Sequence, residues 1–127
     1  MKKYDLIVAG GGLTGVAAAV SAARLGQKVL LAEKSGWLGG AMSNSLVFPF
    51  MRWWTPKAGE EVKELSDGIF TEMRERLGKY ALPDKKNHYD PEYFKFVLDL
   101  AMAAAARRPS PMARITVAPP RTISPPA

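Results

Sequence analysis

The sequence contains no cysteine, which excludes a disulfide framework, a thiolate nucleophile and any Cys-ligated zinc or iron–sulfur centre. It also lacks a long apolar run. No stretch reaches the roughly 18 residues that span a bilayer, because Arg24, Gln27 and Lys28 interrupt the best candidate. Leu6 to Ala9, behind Lys2 and Lys3, is too short for a signal peptide and runs straight into three glycines. These absences predict a soluble, cytoplasmic protein without a membrane partner. With 127 residues the chain has room for one compact core and not for two. Acid is missing from residues 107 to 127, where Arg107, Arg108, Arg114 and Arg121 carry four of the six net positive charges and leave only +2 for the rest. The body of the chain is therefore nearly balanced. A basic nucleic-acid-binding protein is disfavoured, since the tail offers four arginines and no aromatic residue.

What is present begins with Tyr4 to Ala9, a nearly continuous apolar run stopped by Gly10, Gly11 and Gly12, the pattern of a parallel strand buried on both faces. Leu13 to Leu25 is rich in small, helix-compatible residues, and Gly26 stands where a left-handed C-terminal cap is expected. Lys28 to Glu33 is a second apolar run. One helix between two such runs predicts a parallel βαβ unit.

Beyond it, residues 34 to 59 show no sustained period and read as an extended loop. Val62, Leu65, Ile69, Met73 and Leu77 are spaced by three or four, which predicts an amphipathic helix over most of residues 60 to 80, with Gly68 as a weak point. Asp90, Pro91 and Glu92 supply an N-cap, a first-turn proline and a first-turn acid for a helix reaching about Ala106. Six of the ten prolines then fall between Pro109 and Pro126. Arg114 to Ala118 has the composition of one more strand, but the flanking prolines argue for a mostly disordered or extended tail. The expected fold class is α/β, a partial Rossmann-like unit with additional helices. Residues 1–106 form one domain and residues 107–127 a Pro/Arg-rich tail, whose abrupt composition suggests a truncation or a shifted reading frame.

Gly10, Gly12 and Gly15 match G-x-G-x-x-G, a weak signal alone. Context strengthens it. The motif follows a predicted strand, opens a predicted helix, and precedes Glu33 by 18 residues from Gly15, with Glu33 closing the next strand. Gly10 permits the tight turn, Gly12 lets a pyrophosphate approach the backbone, and Gly15 allows helix and strand to pack closely. The helix N-terminus at Leu13 and Thr14 supplies N–H groups and a partial positive charge, so no basic side chain is needed in the loop. Glu33 would accept hydrogen bonds from ribose hydroxyls and repel a 2′-phosphate, which favours FAD or NAD over NADP.

The run Tyr4 to Gly15, followed by Glu33-Lys34-Ser35-Gly36-Trp37-Leu38-Gly39-Gly40, resembles the start of FAD-dependent oxidoreductases of the glutathione reductase-like, two-dinucleotide-binding class. Asp90 to Leu100 is similar to a later helix of the same family. The resemblance implies FAD as cofactor, with Lys34 and Ser35 on the adenosine side and Gly39, Gly40 and Ala41 near the pyrophosphate. It also implies a longer enzyme, in which this chain is the N-terminal FAD-binding portion, itself inactive if the flavin-ring pocket and substrate segment are missing. An NAD-binding Rossmann module is the alternative that Glu33 permits and the Gly39-Gly40 loop disfavours. Met42, Ser43, Asn44, Ser45 and Phe48 are candidates to approach the flavin ring, although Ser and Asn clusters are ordinary loop chemistry. Trp53 and Trp54 read as packing residues. His88, the sole histidine, and the Lys85-Lys86 pair read as a solvated connection. No catalytic acid or base is assigned, because redox chemistry in a flavoenzyme resides in the cofactor. No metal site is expected, and the substrate is not readable.

Overall fold

A computed structural model describes residues 3–47, 49–51, 53–55, 63–78, 88–106 and 114–118. The elements are β1 (Leu6–Ala9), α1 (Leu13–Arg24), β2 (Lys28–Ala32), α2 (Ala41–Asn44), α3 (Ile69–Gly78), α4 (Pro91–Ala106) and β3 (Arg114–Ala118). The three strands form one parallel sheet in the order β1-β2-β3. The expected βαβ unit is therefore present, with Leu6 opposite Val29 and Ala9 opposite Ala32.

Alternation along β2 fixes which face is covered. Val29 and Leu31 are buried, in register with Leu6 and Val8, and they meet Val16, Ala19, Val20 and Ala23 of α1. Helix α4 completes the same layer with Phe94, Val97, Leu98 and Met102, and α3 adds Met73 and Leu77. The small residues along α1 let it lie close to the strands. β1 departs from the expected burial on both faces: Ile7, on the face opposite α1, is 65% exposed. Among the described residues no element covers that face.

The helix ends follow local chemistry. Gly26 has φ +87°, and its N–H and that of Gln27 close onto the Ala23 and Ala22 carbonyls at 3.0 and 3.1 Å, ending α1 with a left-handed turn. Asp90 Oδ1 accepts from the Glu92 N–H at 2.7 Å, capping α4 as the sequence predicts. The helix expected over residues 60 to 80 is shorter in the structure. Gly68 has φ +70°, outside the helical region, so α3 begins only at Ile69. Leu65, counted on its apolar face, instead donates its N–H to the Trp53 carbonyl at 2.6 Å and is exposed; Val62 lies outside the described residues.

α2 was not expected, and β3 occupies the Arg114–Ala118 stretch whose composition suits a strand but whose flanking prolines argued for a tail. α2 is a single turn inside the segment read as loop. β3 lies within the proline-rich tail, pairing along the whole of β2 from Lys28–Arg114 to Ala32–Ala118. The five residues fit between Pro111 and Pro119, so the prolines bound the strand without interrupting its ladder. Lys85 and Lys86 and the remainder of the tail lie outside the described residues.

Candidate functional site

The site is built at the C-terminal end of β1, where the chain must turn sharply into α1. Gly10 makes that turn with φ +101° and donates its N–H to the Ala32 carbonyl at 2.7 Å, prolonging the ladder to β2. At Gly15 the helix crosses so close that an added Cβ would stand 1.9 Å from the Gly10 carbonyl oxygen. Only glycine fits there. Gly12 has a different requirement. Its backbone is extended (φ −66°, ψ 176°), it is the N-cap of α1, no side chain caps it, and a Cβ there would meet nothing within 4 Å. The protein thus leaves open space at Gly12, beside the N-terminal turn formed by Leu13, Thr14 and Gly15, which carries no acid. An uncapped helix start facing such a gap is suited to an anion.

The second glycine pair returns to the first. Gly39 donates its N–H to the Gly11 carbonyl at 2.8 Å and forms a parallel bridge with Gly12. A Cβ on Gly40 would come within 3.0 Å of Gly12 Cα. Gly39 and Gly40 have φ of +113° and +55°, and a Cβ on Gly39 would strike Ser43 Oγ at 2.6 Å. Ser43 is buried and donates to the Leu38 carbonyl at 2.7 Å, so it serves the loop's own shape. Ala41 follows as an exposed first residue of α2.

Glu33 closes the site from the end of β2. It is 8% exposed, and its Oε2 accepts from the Gly11 N–H. Its Oε1 accepts from the Ser35 N–H and from the Ser35 hydroxyl, each at 2.8 Å. Hydrogen bonds from the Ser35 backbone and side chain and from the backbone at Gly11 and Lys34 hold the carboxyl below the usual glutamate range, against the opposing effect of burial. It is a fixed negative charge at neutral pH. Lys34 beside it is exposed.

The structure thus gathers Gly10, Gly12, Gly15, Glu33, Gly39 and Gly40 into one cradle. Sequence reasoning overlooked Gly11, whose N–H and carbonyl join Glu33 to Gly39, and the way Ser35 and Asn44, named above for other roles, join Trp37 and Lys95 in a supporting cluster. Trp37 Nε1 donates to Asn44 Oδ1, and Lys95 Nζ of α4 sits 4.2 Å from the Trp37 ring centroid. The only sequence signal for this was the proximity of Ser35 to Glu33; the α4 partner is 58 residues from Trp37 and carries none.

The other candidates lie elsewhere. Trp53 is buried and packs edge-on against Phe50, Phe70 and Trp54, as a core residue. His88 is half-buried and bridges Pro49, rather than standing in a solvated connection. Met42 lines a pocket of about 350 Å³ with Val47, Pro49, Phe50 and Phe70. Ser45 ends α2, and Phe48 lies outside the described residues. Among the described residues no group of three or more His, Asp or Glu side chains is placed to hold a metal ion, and no helix is long and apolar enough to cross a membrane.

Residues 5–116 match the model of a protein family described as FAD dependent oxidoreductase. No curated protein matches. Among solved structures, the chain is similar to 3-ketosteroid-Δ4-(5α)-dehydrogenase from Rhodococcus jostii RHA1, crystallised with 4-androstene-3,17-dione, at 27% identity and a TM-score of 0.34. The match covers 80% of this chain and 20% of that one, so the chain spans about a fifth of that structure's length.

Proposed function

The chain belongs to the FAD dependent oxidoreductase family, and on that premise we propose that its glycine cradle holds the ADP portion of FAD. The pyrophosphate lies over Gly12, against the N–H groups of Leu13, Thr14 and Gly15, and the dipole of α1 offsets its charge. Gly39, Gly40 and Ala41 flank it from the other side. Glu33 accepts the ribose hydroxyls, and Lys34 borders the adenosine. The observation that carries this reading is Gly12, an extended N-cap with no protein atom within 4 Å of the position a Cβ would take, facing the second glycine pair.

Bound FAD supplies the redox chemistry through its ring, and the residues here bind and orient the cofactor. The ionised Glu33 also sets a preference, since a fixed carboxylate repels a 2′-phosphate. The reading assigns the chain the cofactor-holding part of an oxidoreductase. Gly12→Val tests it directly. A Cβ there meets no protein atom within 4 Å, so the variant loses only the N-cap preference of glycine over valine, about 1 kcal/mol, while FAD affinity drops by at least about a hundredfold. Equal FAD affinity in the two proteins would remove the cradle from cofactor binding.

A further inference from the structure

Ser35 sits between two acceptors with one hydroxyl proton to give. Its Oγ lies 2.8 Å from Glu33 Oε1 and 2.9 Å from the Trp37 carbonyl oxygen, and it accepts from Asn44 Nδ2 at 3.3 Å. A hydroxyl donates to one partner at a time, and the charged carboxylate is the stronger acceptor. The Ser35 N–H, at 2.8 Å from the same Oε1, is a second anchor that does not depend on the hydroxyl. The far acceptor is fixed as well, because Trp37 is held through Asn44 and lies under Lys95 of α4.

We propose that Ser35 is a positioning residue for ribose recognition: its hydroxyl proton holds Glu33 Oε1 before the nucleotide arrives and turns to the Trp37 carbonyl when a ribose hydroxyl takes its place. The turn moves no heavy atom. Glu33 keeps its backbone donors at Gly11 and Ser35 throughout, so the carboxylate gains a ribose partner without losing its orientation, and the serine proton is never left without an acceptor. The inference rests on the reading of Glu33 as the ribose acceptor.

The test compares ADP with 2′,3′-dideoxy-ADP, which lacks the hydroxyls concerned, by titration calorimetry of the wild type, S35A, S35T and E33Q. The wild type binds ADP about tenfold more tightly than the dideoxy ligand. In S35A no hydroxyl has to leave Oε1 for the ribose, so that advantage rises to about thirtyfold, with dideoxy-ADP affinity unchanged, and S35T, which keeps the hydroxyl, returns it to the wild-type value. Equal weakening of both ligands in S35A would mean a merely structural role and overturns the proposal, as would an unchanged ratio in S35A. E33Q separates the two levels of the argument. If E33Q abolishes the ADP advantage while S35A leaves it intact, only the role of Ser35 fails; if E33Q leaves the ratio unchanged, or ADP does not bind at all, the assignment of Glu33 fails and the role of Ser35 with it.

Discussion

At the scale of single residues, glycine does three separate jobs in this site, and substitution distinguishes them. Gly15 is required by the fold, because a side chain there would overlap the Gly10 carbonyl. Gly12 is required only if something occupies the space beside it. Gly15→Ala should therefore cost on the order of 3 kcal/mol in urea unfolding, whereas Gly12→Val should cost no more than about 1 kcal/mol, the N-cap preference for glycine. Equal destabilisation by the two would contradict this division. Glu33 makes a second residue-scale prediction. Its carboxyl titrates below the ordinary value of 4.5 in the folded chain, so the stability it contributes is present above that value and is lost as pH falls through the lowered one. The wild type should exceed Glu33→Gln by about 2 kcal/mol at pH 7, and the difference should shrink below about pH 4.5. Asp99, whose carboxyl burial raises, works in the opposite direction but is common to both proteins. A gap that stayed constant down to pH 3 would show that Glu33 has no special environment.

At the scale of elements, the best-defined pieces are those whose ends are written in local chemistry. Asp90 caps α4 through one hydrogen bond to the Glu92 N–H, and Asp90→Ala should cost about 1 kcal/mol. Phe94, fully buried between Tyr89 and Phe50, should cost about 3–5 kcal/mol as Phe94→Ala. Thermal melts of both variants check the ordering, and a cap that proved the costlier loss would contradict it. The same locality explains what the sequence revealed. The turn at Gly10, the C-cap at Gly26 and the N-cap at Asp90 each depend on residues within four positions, and all three are legible. The helix predicted across residues 60 to 80 failed where periodicity outvoted one residue, since Gly68 at φ +70° cannot lie in a helix interior. The Arg24–Glu72 pair, at 2.7 and 2.5 Å, joins α1 to α3 and had no sequence signal, because its partners are 48 positions apart.

At the scale of the whole molecule, the site depends on a sheet whose third strand lies beyond the last helix. Composition alone treated residues 107–127 as a tail, because proline and arginine density is a property of the segment and strand pairing is a property of its five residues from Arg114 to Ala118. The ladder between β2 and β3 aligns β2, which ends next to Glu33. A chain ending at residue 113 should lose about 3 kcal/mol and melt roughly 10 °C lower; an unchanged melting temperature would show that β3 contributes nothing. The glycine turn at Gly10 and Gly15 was legible because it is a backbone demand tied to a residue type, whereas the bond from the Gly11 N–H to Glu33 was not. Their closure by Gly39, Gly40 and Ser35 was legible only as resemblance, since no spacing rule states that one loop will bridge to another. The central claim is that these parts together hold FAD. An FAD titration of the wild type and Gly12→Val, followed by flavin fluorescence and melting temperature with NAD as control, tests it most directly. The account predicts saturable FAD binding by the wild type, with about 2.7 kcal/mol of added stability at a hundredfold excess over Kd, and neither effect in Gly12→Val. FAD binding that survives in Gly12→Val, or wild-type protein that binds NAD and not FAD, would contradict it.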